Sequence, residues 1–283
     1  MKVLVCFKVT PDYEALRPAD WERVAAGSDE TKFVHRVLNV FDESALELAL
    51  RLRDAVRQAA AGAGRAAESG VAYGDVRLRA LTIGGHDADP FLQTLLALGY
   101  DAVARVPANG ALDFAPQLTA SVIAAYARRT ESDLLLLGDR SGPGDSGLVP
   151  FLVAESLGWS CLSGVTELRA SAEGALRLTW AAGEGQQRAT LRGSAVLAVG
   201  NAVVSCLRVP TLTDRLKTRG LGIDLVQLED LGVHQQDVVA SSGLAGLEVV
   251  DRRRAGVILD GRPPATLART LLDDYLAPLL ETS

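Results

Sequence analysis

The stretch Gly142-Pro143-Gly144-Asp145-Ser146-Gly147 follows the apolar run Leu134-Leu135-Leu136-Leu137 and spells G-x-G-x-x-G. Glycines at that spacing, between a strand and a helix, let the backbone approach a pyrophosphate while the helix N-terminus offers it N–H groups. A dinucleotide fingerprint places its first Gly at the strand end and opens the helix directly after the third. Here Asp139, Arg140 and Ser141 stand between the strand-ending Gly138 and Gly142. Glu167 falls near the ~20-residue distance of a ribose-binding acid, but it lies in a run with a hairpin pattern. These misfits count against a nicotinamide site. A single phosphate suits the loop better: Ser141, Ser146 and the amides of Gly144 to Val149 can hold an anion at a helix start. Pro150 has no N–H and is tolerated only in a first turn, so it predicts a helix start at Ser146 or Gly147 and removes one donor. A Gly-rich turn that binds nothing remains a third possibility.

The other reactive side chains are dispersed. Three cysteines (Cys6, Cys161, Cys206) and three histidines (His35, His86, His234) share no metal-ligand spacing, so no zinc site is expected. Cys6, inside an apolar strand, reads as a small buried hydrophobe. Sparse cysteine fits a reducing compartment. The chain carries 29 basic and 35 acidic residues, a net charge of -6, which argues against nucleic acid as the main partner. The one tight basic cluster, Arg252-Arg253-Arg254 beside Asp251, reads as a solvated turn.

These groups need a scaffold, and the chain has the length for one: 283 residues, 48% hydrophobic, can bury one large core with or without an appendage. Residues 2–7 (KVLVCF) form a buried-strand pattern, 9–36 an irregular excursion, and 39–56 a helix with Asn39 or Asp42 as N-cap. Gly-broken residues 59–70 follow. Strand–helix pairs come next at 76–85 with 87–99, 102–106 with 114–129, and 134–138 with 148–157. Continuously apolar strands alternating with helices predict a parallel sheet covered on both faces. Four strand-like runs between 164 and 201 then read as antiparallel hairpins on the same sheet. A short helix near 211–218 precedes a tail whose helix, 265–280, is amphipathic. No internal repeat is evident. The expected fold is α/β, a mostly parallel doubly wound sheet with an antiparallel hairpin extension, as domain 1–231, and a C-terminal arm, 232–283, whose amphipathic helix either folds back or, as expected here, packs on a partner subunit. The opening MKVLVCF is a strand rather than a cleavable leader, and no run is long and apolar enough for a membrane span. A cytoplasmic protein without direct membrane insertion is expected.

Several segments, in order, resemble the beta subunit of electron transfer flavoproteins. VLVCFKVTPD is similar to the family's first strand and its V-K-x-x-x-D continuation. Asn39-Val40-Phe41-Asp42-Glu43 before ALELALRL resembles the N-P-F-[CD]-E helix start. LTIGG followed by LQTLLALGYDAVARV looks like the family's strand, helix and strand. DLLLLGDR with Leu157-Gly158-Trp159 matches the D-L-V-L-L-G loop and L-G-W end, and Arg208-Val209-Pro210-Thr211-Leu212 with Lys217 resembles R-Y-A-T-L-P-N-I-M-K.

The resemblance implies an adenine-nucleotide alpha hydrolase-like fold over most of the first 230 residues. It also implies an electron carrier that is not catalytic alone. The partner would be an alpha subunit, in a heterodimer, with the redox FAD held mainly by alpha. AMP, or in bifurcating members a second FAD, would bind this subunit. Carried over, the nucleotide site comprises Cys6, Asn39, Val40, Phe41, Asp42, Ile83, Gly138, Asp139, Arg140, Ser141, Gly142, Gly144, Asp145, Ser146, Gly147 and Val149. Arg208, Thr211, Leu212 and Lys217 would dock a flavoprotein dehydrogenase, with electrons passing on to a membrane quinone reductase or another acceptor. The phosphate loop departs from the family in Leu148 for Gln and Pro150 for Gly, and the docking region in Asn201 to Leu207, which lack the family's charges. A specialised dehydrogenase is the resulting expectation. A nicotinamide oxidoreductase built on GPGDSG and a non-redox subunit without nucleotide remain as alternatives.

Overall fold

The computed structural model describes residues 1–26, 34–63, 75–108, 114–142, 144–171, 175–183, 185–200, 206–234, 246, 248 and 256–278. Pro143, most of the Gly-broken segment after residue 59, Asn201–Ser205, the Arg252–Arg254 cluster and most of the Gly-rich tail lie outside them.

Continuous apolar strands dictate the centre of the fold. β1 (Lys2–Phe7) sends Val3, Val5 and Phe7 into one layer and Leu4 and Cys6 into the other, because successive side chains of a strand point to opposite faces. A strand buried on both faces needs a helix layer on each. α2 (Val40–Ala63) and α3 (Asp89–Ala97) contribute Leu46, Leu50, Leu92 and Leu95 to the first layer. α4 (Pro116–Arg129) and α5 (Val149–Leu157) contribute Leu118, Val122, Tyr126 and Val153 to the second. Each leucine buried this fully is worth roughly 1.5–3 kcal/mol.

Among the described residues the main sheet has nine strands. β4 (Arg77–Gly84) and β5 (Ala102–Pro107) lie in parallel on one side of β1, with β11 (Asp224–Leu225) beyond them. β6 (Leu134–Gly138) lies on the other side, also parallel. β7 (Ser160–Ala170), β8 (Leu176–Ala182) and β9 (Gly185–Leu191) form the expected antiparallel extension. The fourth run is a correction to the hairpin reading. β10 (Ala195–Val199) inserts between β6 and β7, parallel to both. All of its residues are buried, and a run with no polar alternation belongs at the centre of a sheet.

Two further expectations are revised. The excursion at 9–36 contains a small antiparallel sheet, β2 (Val9–Pro11) with β3 (Arg36–Leu38), and a helix, α1 (Pro18–Ala25). α5 begins at Val149, not at Ser146 or Gly147, with Pro150 in its first turn. The chain divides into two compact units, Met1–Leu247 and Glu248–Ser283. Val233, beyond the expected boundary at 231, is buried in the core of the first. The second unit carries α7 (Pro264–Leu271), extended by a π-helical turn at Leu272–Leu276, with Leu271, Leu272, Tyr275 and Leu276 exposed.

Candidate functional site

The chain leaves β1 towards β4 and β5 on one side and returns to β6 on the other. Loops diverge at such a switch point, and the crevice opens at the carboxyl ends of the strands. A cleft of about 160 Å³ lies there. Its floor is Cys6 and Phe7 at the end of β1 with Lys8 after it, Leu81 and Ile83 on β4, and Leu137 and Gly138 on β6. Pro116, Thr119 and Ile123 of α4 form one wall, and Asp139 to Ser141 with Gly144 to Gly147, Val149 and Pro150 form the rim.

The first turn of α2 ties this crevice together. Asp42 accepts the Gly138 N–H at 2.6 Å with Oδ1 and the Lys8 N–H at 2.9 Å with Oδ2. It therefore joins the end of β6 to the residue that follows β1. Burial pushes its pKa up to about 6, against the hydrogen bonds from Lys8, Gly138 and Asn39 that favour the carboxylate. Gly138 is required by this staple: a Cβ there would meet Asp42 Oδ1 at 2.5 Å and Asn39 Nδ2 at 2.9 Å. The Asn39 amide donates to the Arg140 carbonyl at 2.9 Å, so Asn39 braces the rim loop from behind. Val40 is exposed, and among the described residues Asn39, Val40, Phe41 and Gly142 do not line the cleft.

The rim loop turns through left-handed backbone at Gly144, Asp145 and Gly147, φ 100°, 38° and 62°. Asp145 N–H closes the turn on Ser141 O at 3.1 Å, and the first bond of α5 runs from Leu152 N–H to Leu148 O at 3.0 Å. The amides of Ser146, Gly147 and Val149 precede that bond, at the positive end of the helix. Lys8 and Arg140 bring positive charge; Arg140 lies 3.6 Å from the Asp139 carboxylate. Burial, with the Asp42 carboxylate adding to it, pushes the Cys6 thiol above its ordinary range. It remains a neutral wall residue and not a nucleophile. Among the described residues, no group of His, Cys, Asp and Glu could hold a metal ion.

A second feature lies along α2. Leu207 N–H donates to Glu43 Oε1 at 2.9 Å, and Arg208 N–H to Glu47 Oε2 at 3.2 Å. The Arg208 guanidinium donates to Glu47 Oε1 at 2.8 Å and to Asp54 Oδ2 at 2.6 Å. Burial raises the Glu47 carboxyl, but bonds from Arg208 and Arg51 outweigh it and hold the pKa below the ordinary value. Thr211 then caps α6 (Leu212–Lys217) in a reciprocal box with Asp214. Beyond the anchor, Val209, Leu212 and Leu216 are 83%, 74% and 58% exposed, and Lys217 is exposed.

The family model for the electron transfer flavoprotein domain matches residues 32–209, from before the Asn39–Asp42 turn to the Arg208 anchor. The chain belongs to the electron transfer flavoprotein domain family. YgcR of Escherichia coli strain K12, whose name places it among electron transfer flavoprotein subunits, is 27% identical over 98% of both chains. The electron transfer flavoprotein subunit beta of Bacillus subtilis strain 168 is 25% identical over 80% of this chain and 81% of its own. That of Bradyrhizobium diazoefficiens is 27% identical over 91% and 92%. At these identities the chain is a divergent, beta-type member, and its family role is that of an electron transfer flavoprotein subunit.

Within that frame the cleft gathers Cys6, Asp42, Ile83, Gly138, Asp139, Arg140, Ser141, Gly144, Asp145, Ser146, Gly147 and Val149, all read from the sequence. Sequence reasoning missed Phe7, Lys8, Leu81, Pro116, Thr119, Ile123 and Leu137 as wall residues. Lys8 carried a signal, since it ends the first strand in the family's V-K-x-x-x-D pattern. The α4 residues had only helical periodicity, which is indistinguishable from ordinary core packing. Among the described residues no helix is long and apolar enough to cross a membrane.

Proposed function

We propose that this chain is the beta-type half of an electron transfer flavoprotein. It pairs with an alpha subunit that holds the redox FAD, and the pair takes electrons from a specialised flavoprotein dehydrogenase and delivers them to a downstream acceptor such as a membrane quinone reductase. The single observation that carries the reading is the switch-point cleft, whose Asp42–Gly138 bond and rim loop fall within the residues matched to the family. An adenine mononucleotide fits it. Cys6, Ile83 and Leu137 offer an apolar slot for a base. Ser141, Ser146 and the amides before α5, with Lys8 and Arg140 nearby, suit one phosphate. Pro150 contributes no amide, which favours a mononucleotide over a diphosphate such as a second FAD. AMP in this place has no redox chemistry to supply; its part is to fill and stiffen the crevice. The exposed segment after Arg208 suits dehydrogenase docking, with Leu212 as its apolar tip.

Co-expression with a candidate alpha subunit tests the pairing. One peak on gel filtration, carrying one FAD and releasing about one AMP on heating, is expected. Two separate peaks would reject the pair, and a pair that releases no nucleotide would reject the occupied cleft. Anaerobic mixing of the pair with purified flavoprotein dehydrogenases, each with its own substrate, then identifies the donor as the one that bleaches the flavin.

A further inference from the structure

The docking segment is held by its root rather than by its tip. Glu43, Glu47 and Asp54 stand on one side of α2, and between them they take both backbone N–H groups of 207 and 208 and the whole Arg208 fork. Glu47 keeps 3% of its side chain exposed, whereas Leu212, four residues past the anchor, is 74% exposed. Pro210 between them is buried. At the far end, the Gln93 amide of α3 donates to the Leu221 carbonyl at 3.2 Å. A segment tethered at both ends, with Leu212 and Leu216 exposed between the tethers, presents a fixed knob.

We infer that Glu47 and Asp54, acting through Arg208, are positioning residues for docking: they hold Leu212 in the pose that a flavoprotein dehydrogenase meets. This inference rests on the docking reading of residues 208–217 proposed above. The physical reason is preorganisation. A loose loop must be ordered as the partner arrives, and that entropy is subtracted from the binding free energy. A buried carboxylate facing a planar guanidinium removes the freedom beforehand, with a geometry that an ammonium group cannot copy. The arrangement sits on the same helix whose first turn staples the cleft, so its reference frame is the rigid part of the molecule.

The test uses the full chain paired with its alpha subunit and the dehydrogenase that reduces the pair. Amide exchange over 207–217, thermal midpoint, and KM and kcat for reduction are measured in Arg208→Gln, Arg208→Lys, Glu47→Gln and Leu212→Asp. Exchange in Arg208→Gln is expected to quicken, and KM to rise, about tenfold with kcat retained. Glu47→Gln should follow it in direction, and Arg208→Lys should fall between it and the wild type. A lower thermal midpoint with KM unmoved in Arg208→Gln, while Leu212→Asp raises KM, would overturn the positioning role and leave docking intact. KM unmoved in both variants would sink the docking reading and this inference with it.

Discussion

Asp42 is charged, buried and held by two strand ends, and its properties follow from those facts together. With the folded pKa at about 6 against an ordinary 3.8, the native state binds the proton more tightly than the unfolded one between those values. Its contribution to stability is therefore full below pH 3.8 and lost as pH rises to about 6, a change of about 3 kcal/mol. The wild type minus Asp42→Asn difference in unfolding free energy, by urea titration from pH 4 to 8, should trace that slope; a flat difference would contradict it. Gly138→Ala should cost about 1–3 kcal/mol, since its Cβ would displace the staple, and calorimetry reads this as a lower midpoint. Asn39→Ala frees the Arg140 carbonyl and should weaken AMP binding about fivefold, one hydrogen bond's worth; titration calorimetry measures it. Asn39 and Asp42 were legible as helix-start residues. Their partners were not, because Arg140 and Gly138 lie a hundred residues away in the chain and meet them only when the sheet closes.

Among the elements, α2 is the one that serves both features. Its first turn closes the cleft and its next turns carry the rail of Glu43, Glu47 and Asp54. The ordinary place for carboxylates on an amphipathic helix is its solvated face. Residues 207 and 208 turn that face inward by bringing a guanidinium and two amides to it. α6 shows the opposite balance: it has no buried residue and is held by its cap. Thr211→Ala should therefore quicken amide exchange at Thr218, whose N–H donates to Asp214, by about fivefold, the worth of one N-cap. Periodicity made the helices that flank the sheet readable, but not α1, which lies in the excursion read as irregular. The start of α5 was placed early because Pro150 limits it only to the first turn, whereas left-handed backbone at Asp145 and Gly147 keeps the chain out of the helix until Val149.

For the molecule as a whole, the first unit owns a two-faced core, and among the described residues the second exposes most of its apolar side chains. Deleting 248–283 should leave the thermal midpoint of the remainder close to that of the full chain and abolish co-elution with the alpha subunit. Unfolding of the truncated chain under native conditions would show that the first unit depends on the second. Strand order was the largest feature hidden from sequence reading. AVLAV looked like one more hairpin strand because it follows three of them, yet it runs parallel between β6 and β7. Chain proximity favours pairing with the previous strand; burial on both faces favours the centre, and burial prevailed.

Outside the excursion at 9–36, where β2, β3 and α1 went unread, hydrophobic pattern was enough to locate the main strands and helices, the mostly parallel sheet and the Gly-rich loop after a buried strand. Those are local matters, written in hydrophobic period and backbone freedom. Only the tertiary structure decided that Asp42 joins two strand ends, that α4 walls the cleft, and that acids on α2 grip Arg208. Each of these joins residues far apart in sequence, and no local propensity distinguishes a carboxylate that will face water from one that will be buried against a partner.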